Sequence, residues 1–351
     1  MTTGEQTRAA KSGAVAEGRR SLNLRGLLQV LIGVGAFALV FVKSDPRGLL
    51  EAAHAMRAGY LAVAVVTALG VVGLMALRWG VILRVRHRVS FQLLFLYYLI
   101  ATFFTNFVPG GGVSGDVARL ILVDREVRDK SFTLSTLLYE RLVAGFTLLL
   151  VGVAAGLTSR ADTQMVRVIY ASAAALGVLF AVACVLLSDF VSSRFVSLVK
   201  WAGVRLRLER AGNALGRTLE ALRDFRRYKR MLAITFLLSI LIRMVWSLGC
   251  YAVAAGMNLP LSLPTVFAFI SIVDLIRLLP ISIGGVGVRE WALVVLFANV
   301  GLAREQALMY SLFAFAPLFL LSVAGGLFYV SRASIVRAGS TTVDAGARAR
   351  I

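Results

Sequence analysis

A chain of 351 residues that is 59% hydrophobic and only 16% charged, with a mean hydropathy of +0.82, would have an apolar exterior as a water-soluble globule, so a soluble fold is excluded. Its 38 Lys and Arg against 18 Asp and Glu leave a formal charge of +20. The cations lie between apolar segments rather than on one accessible face, which excludes a nucleic-acid binder and indicates the loops of an all-α polytopic membrane protein.

Residues 1–25 form a polar, basic head, with Arg8, Lys11, Arg19, Arg20 and Arg25 against Glu5 and Glu17. The apolar run Gly26 to Val42 follows without a convincing cleavage site and is expected to be a retained first helix. Further runs of membrane-spanning length occur at Ala58 to Leu77, Phe132 to Leu157, Val166 to Leu187, Met231 to Met257 and Ala307 to Val330, which makes about six full spans. Two other apolar regions are interrupted by glycine-rich strings: FFTNFVPGGGVSGDVAR, Phe103 to Arg119, and IRLLPISIGGVGVREW, Ile276 to Trp291. Glycine and proline break helices, and broken backbone at membrane depth survives only where protein or a water-lined cavity satisfies it.

Cytoplasmic loops collect Lys and Arg. By that rule the head, the loop with Arg78, Arg84, Arg86 and Arg88, the stretch 188–230 and the tail 331–351 are all expected to be cytoplasmic. The stretch 188–230 holds eleven basic and four acidic residues. The tail is expected to be disordered. Parity then requires Phe91 to Lys130 to leave on the side it came from, and Pro264 to Leu302 to do the same from the opposite side. The two strings therefore fall in oppositely oriented broken or re-entrant elements. Their GGV triplets start at Gly111 and Gly284, 173 residues apart, an offset that suits the inverted repeat of many transporters. Beyond GGV and the preceding Pro109 or Pro280, however, little aligns.

Within 188–230, Leu208, Leu215, Leu219, Leu222 and Phe225 recur near helical spacing among arginines. Two readings remain open: a basic amphipathic helix on an anionic leaflet, or a solvated linker.

Charges inside spanning segments cost at least about 2.5 kcal/mol on insertion scales and so mark cavities or partners. The candidates are Asp116, Arg119, Glu140, Arg141, Arg243, Asp274, Arg277, Arg289 and Glu290. Asp116/Arg119 and Asp274/Arg277 are spaced i, i+3, on one helix face. One reading is structural, with self-neutralising pairs that hold broken helices in place. The other is functional: the guanidiniums bind anionic lipid headgroups, in a headgroup site made of Asn106, Asp116, Arg119, Glu140, Arg141, Asp274, Arg277, Arg289 and Glu290, and Pro109, Gly110, Gly111, Gly112, Gly115, Pro280, Gly284, Gly285 and Gly287 supply hinges or backbone approach to phosphate. Arg243 is expected to pair with an acid of a neighbouring helix. Trp79, Tyr97 and Tyr98 are expected at the membrane interface, and Ser114 as a local turn former. The two cysteines, Cys184 and Cys250, and the two histidines, His54 and His87, show no disulfide or metal spacing. No nucleotide-binding motif, metal site or cofactor is expected, and catalysis by these carboxylates is the minor reading.

The string Asn106 to Arg119, the Glu140-Arg141 pair and the S-x-G-G-V-G-V-R-E string from Ser282 to Glu290 recur in the order seen in flippase-like membrane proteins. The chain resembles that family, which includes the transmembrane region of lysylphosphatidylglycerol synthases, from about Leu24 to Val330. It departs in having Ile283 where proline is frequent and Ala144 where an acid is frequent. The resemblance implies a flippase-like transmembrane domain at 26–330 in a prokaryotic inner membrane, both termini cytoplasmic, translocating lipid without the aminoacyl-transfer domain and hence not an enzyme. Relatives handle diverse lipids, including isoprenoid-linked sugars and hopanoids. The alternative is a non-catalytic subunit that scaffolds a lipid-synthesis enzyme or glycosyltransferase.

Overall fold

The computed structural model describes residues 44–158, 174, 177–178, 209–277 and 282–348. Among them are ten α-helices and two short 3₁₀ turns. They are α1 (Pro46–His54), α2 (Ala58–Leu83), α3 (Phe91–Phe107), α4 (Gly112–Val127), α5 (Lys130–Thr158), α6 (Glu209–Asp224), α7 (Lys229–Gly256), α8 (Leu263–Arg277), α9 (Val288–Ala298) and α10 (Arg304–Arg348); the 3₁₀ turns are Phe225–Arg227 and Ile283–Gly285.

Among the described residues, four helices are long and apolar enough to cross a membrane: α2, α5, α7 and the Arg304–Ser331 part of α10. Each contains a run expected from hydropathy, and the chain is a multi-pass membrane protein. The expected span Gly26 to Val42 lies outside the described residues, as does most of Val166 to Leu187. Leu237, Leu241, Met244 and Leu248 on α7, and Phe319, Leu320, Val323 and Leu327 on α10, turn outward, which is tolerable only against hydrocarbon. At about 1.5 Å per residue, the 17 residues of α3 and the 15 of α8 reach only about 25 Å and 22 Å, short of a hydrocarbon core of about 30 Å.

Each short helix doubles back at a glycine string. Antiparallel pairing of α3 with α4 is marked by Gly115 against Thr105 and Ala101, by Arg119 on Tyr98 and by Tyr97 Oη donating to Glu126 Oε1 at 3.0 Å. In α8 and α9, Arg277 lies against Gly285 and the Phe269 and Phe297 rings are 6.1 Å apart, again antiparallel.

The long helices α2 and α7 form the centre and are also antiparallel. Gly256 faces Tyr60, Gly249 faces Thr67 and Gly70 faces Val245, while Arg78 reaches Ser239. Small residues let the two backbones approach closely. Around this axis α3 packs on α10 and α8 on α5; α4 packs on α5 and α9 on α10; α2 meets α3, α5 and α10, and α7 meets α8, α10 and α5; α1 lies on α10 and α6 on α5. Exchanging α1–α5 for α6–α10 carries each of these pairs onto another. The correspondence extends to residues: Gly325 of α10 faces Leu99 of α3, and Gly152 of α5, 173 positions earlier, faces Ser271 of α8, 172 positions after Leu99.

Of the 188–230 segment, residues 188–208 lie outside the described residues; on α6 Leu215 is exposed and Ala221 is buried. Leu222 and Phe225 are buried, and the Phe225 ring meets Phe132 at 6.0 Å and Tyr139 at 5.5 Å. Apolar burial against α5 is available on the same face that would otherwise enter a leaflet.

A Cβ at Gly325 would overlap the Leu99 carbonyl oxygen, a backbone atom that cannot step aside. Gly325→Ala should therefore separate α3 from α10 and destabilise the protein by about 1–3 kcal/mol or more. Gly59→Ala, with open space around it, should leave stability within about 0.5 kcal/mol. Thermal unfolding of purified protein in detergent would compare the two, and equal midpoints would remove the close-approach account.

Candidate functional site

Two buried charge centres occupy the interior, one in each half. The first is built on Glu140, placed by α5 at the junction of α2, α3 and α4 and buried to 2% exposure. Its carboxylate accepts from Arg78 Nε at 3.2 Å, from Tyr98 Oη at 2.8 and 3.0 Å and from Arg119 Nη1 at 2.6 Å. Arg119 also bonds Tyr98 and, through its other nitrogen, Asp116. Its guanidinium stacks 4.5 Å from the Tyr98 ring centre and 5.1 Å from that of Trp79. Arg78 uses Nη1 to reach Ser239 Oγ of α7 at 2.9 Å. At the rim, half-exposed Arg141 donates to Asp116 Oδ2 at 2.8 Å and to the Gly112 carbonyl at 2.8 Å. A Cβ at Gly112 would sit 2.7 Å from that guanidinium, so the third glycine of the triplet makes room for an arginine.

The second centre joins α7, α8, α9 and α10. Asp274 accepts from Arg243, from Trp246 Nε1 at 3.1 Å and from Arg277 Nη1 at 3.2 Å. One turn beyond the second glycine string, Glu290 is fully buried. It accepts from Gly287 N at 2.7 Å, Ser311 Oγ at 3.0 Å and its neighbour Arg289 at 2.9 Å through Nε. Arg277 and Arg289 both lie over the ring of Phe315, at 5.0 and 4.2 Å, so one aromatic ring links the two carboxylate groups.

The glycine strings meet at the edge of this interior. The turn Ile283–Gly285 packs on the end of α3. Gly284, at φ +63°, comes so close that a Cβ would lie 3.0 Å from the Asn106 carbonyl oxygen. Asn106 is fixed in turn by Nδ2 donating to Ser322 Oγ of α10 at 2.6 Å. Pro109, Gly110 and Gly111 form the first break, with positive φ at both glycines, and Ser114 Oγ donates to the Phe104 carbonyl at 2.8 Å. Gly115 gives α4 its close approach to α3, and Gly285 leaves room for the Arg277 side chain. Gly287 donates its backbone N–H to Glu290. Pro280 lies outside the described residues.

Both i, i+3 pairs expected from sequence form, and Arg243 finds the acid of a neighbouring helix. The two pairs are joined to other groups rather than neutralised alone. Four assignments need correction. Arg78 is not a loop cation: α2 continues through Leu83 and buries it to 5% exposure. Trp79, Tyr97 and Tyr98 are buried within the protein rather than presented at an interface. Trp79 is fully buried with Nε1 donating to Thr136 Oγ1 at 3.0 Å, and Tyr98 is part of the Glu140 centre. A 3–4 periodicity through Ala64, Ala68, Val71, Met75, Arg78 and Ile82 was the available signal for Arg78; the parts played by Ser239, Ser311 and Phe315 had none. Among the described residues no group of three His, Cys, Asp or Glu is placed to hold a metal ion.

The family model of the lysylphosphatidylglycerol synthase transmembrane region matches residues 26–326, and the chain belongs to that family. No curated protein and no solved structure matches it.

Removing the Glu140 carboxylate would leave Arg78 and Arg119 as buried cations without their shared acceptor. Glu140→Gln should destabilise by about 3–5 kcal/mol. The thermal midpoint in detergent is the measurement, and a midpoint equal to that of the parent would contradict the closed network described.

Proposed function

We propose that this member of the lysylphosphatidylglycerol synthase transmembrane-region family is a lipid translocator of a prokaryotic inner membrane, binding an anionic headgroup between its two glycine-broken hairpins. The observation that carries this reading is the convergence of the two strings. Backbone breaks from opposite halves touch at Gly284 and Asn106, beside an interior lined by Arg119, Arg277 and Arg289. Irregular backbone and buried cations are both costly in hydrocarbon, and their joint presence is accounted for by a polar ligand passing between the halves.

The packing pattern supports the same reading. With α2 and α7 antiparallel and every major helix contact preserved on exchange of the halves, α1–α5 and α6–α10 form an inverted repeat, and α3–α4 and α8–α9 are re-entrant hairpins of opposite orientation. In such a repeat the site lies near the midplane and is exposed to either side as one half rocks on the other. Lys and Arg distribution places both termini and the 188–230 segment in the cytoplasm. Asp116, Asp274 and Glu290 hold the arginines in position and exchange partners with the headgroup, Arg141 sits at the rim of the path, and Asn106 and Glu140 hold its walls.

The test is reconstitution into liposomes with fluorescent anionic, zwitterionic and cationic lipids, following how fast each becomes accessible in the opposite leaflet. The parent should move anionic lipid rapidly, and an Arg277→Ala, Arg289→Ala double variant should be slower by about tenfold or more. Parental rates in a correctly inserted double variant would overturn the headgroup role. Folded protein that moves no lipid would overturn translocation in favour of a scaffold for a lipid-modifying enzyme.

A further inference from the structure

Each centre sets three arginines against two carboxylates, but they differ in the burial of the third arginine and in saturation, and the difference separates their roles. The first centre has two buried guanidiniums, Arg78 and Arg119, against two carboxylates, Asp116 and Glu140, with the third cation, Arg141, half-exposed at the rim. Both buried guanidiniums are engaged by carboxylates, and none of their buried nitrogens lacks a partner among the described residues. The second centre has three largely buried guanidiniums, Arg243, Arg277 and Arg289, against the two carboxylates of Asp274 and Glu290. Here Nε of Arg243 and Nε of Arg277 are buried donors with no acceptor among the described residues. One positive charge is therefore left over in an apolar interior, together with two unused N–H groups.

An unpaired buried charge and unsatisfied buried donors are both strongly unfavourable, and native structures keep them where a ligand supplies what is missing. What is missing here is one negative charge bearing several acceptor oxygens. A phosphodiester has that charge and those oxygens, and guanidinium groups are suited to it. Resting on the translocator reading above, we propose that the Arg243–Arg277–Arg289 centre is the phosphate subsite for a phosphodiester headgroup, and that Arg243 is a direct ligand. The Glu140 centre, with its buried charges balanced, is then not the phosphate subsite but lines the path beside it. The ring of Phe315 contacts both Arg277 and Arg289 and so joins two of the ligating guanidiniums. Ser239 and Arg243 lie one turn apart on α7, so Arg78 is tied to the same helix face.

The charge balance sets opposite signs for two substitutions. Arg243→Gln removes the surplus cation and should weaken phosphate binding. Asp274→Asn enlarges the surplus and should strengthen it. Binding would be read from the ligand-induced rise in unfolding temperature of the full chain in neutral detergent. The probes are short-chain phosphatidylglycerol, diacylglycerol of the same chain length, and inorganic phosphate. The parent should be stabilised by the phosphatidylglycerol and not by the diacylglycerol, with inorganic phosphate binding more weakly at the same centre. Arg243→Gln should lose affinity by about tenfold or more, Arg243→Lys should recover part of it, and Asp274→Asn should gain. Equal stabilisation of the parent by phosphatidylglycerol and diacylglycerol overturns the subsite, as does equal loss in Arg243→Gln and Asp274→Asn, which would mark both as merely structural. Lipid movement in liposomes, measured on the same proteins, separates the two ideas: phosphate-dependent binding without movement retains the subsite and removes the translocator, whereas movement with unchanged binding in Arg243→Gln retains the translocator and removes the subsite.

Discussion

Taking an ion out of water into an apolar bundle costs several kcal/mol unless counter-charge and hydrogen bonds meet it on every side. That constraint places the helices of the first half. Glu140 needs more donors than one neighbour can supply, and it draws them from α2, α3 and α4 at once. Arg78, with charge to spare, reaches on to α7, which binds the first half to the second. Lipid-facing apolar surface drives the helices no more strongly toward one another than toward hydrocarbon, so polar groups and close packing decide who sits beside whom.

Close packing depends on glycine in two distinct ways. Gly325, Gly152, Gly249 and Gly115 let helix backbones approach where any Cβ would strike a neighbour. Gly284 adds a positive φ, so the second break turns sharply and presses its backbone on Asn106. The Gly325 and Gly152 contacts fall at corresponding places in the two halves although the side chains around them differ. Counted at the 173-residue offset, Asp116 stands where the second half has Arg289. The halves share a backbone plan and divide the chemistry.

That division gives the molecule a saturated centre and an unsaturated one. In the Glu140 centre the buried charges balance; in the centre around Phe315 three guanidiniums face two carboxylates. A brace and a binding site made from the same residue types are distinguished by the burial of the third arginine and by unused donors, and the common helix α7 passes both, through Ser239 and Arg243. Displacement of one half against the other bears directly on the Arg78–Ser239 contact of the first centre.

Much of this was determined by the sequence alone. Apolar length set the spans of α2, α5, α7 and α10, glycine and proline set the breaks, and i, i+3 spacing set the Asp116/Arg119 and Asp274/Arg277 pairs, because each is a property of neighbouring residues on one helix. Family membership was legible in the strings around Asn106 and Ser282 and in the Glu140-Arg141 pair between them. Only tertiary structure decided which distant residues share a centre. Arg78 read as a loop cation and Tyr98 as an interface aromatic because hydropathy and the positive-inside rule see one helix at a time. Their partner, Glu140, is 62 positions from one and 42 from the other. The docking of α6 on α5, the meeting of Gly284 with Asn106, and the surplus cation beside Asp274 likewise arise from three-dimensional proximity and charge counting across helices, which no local periodicity encodes.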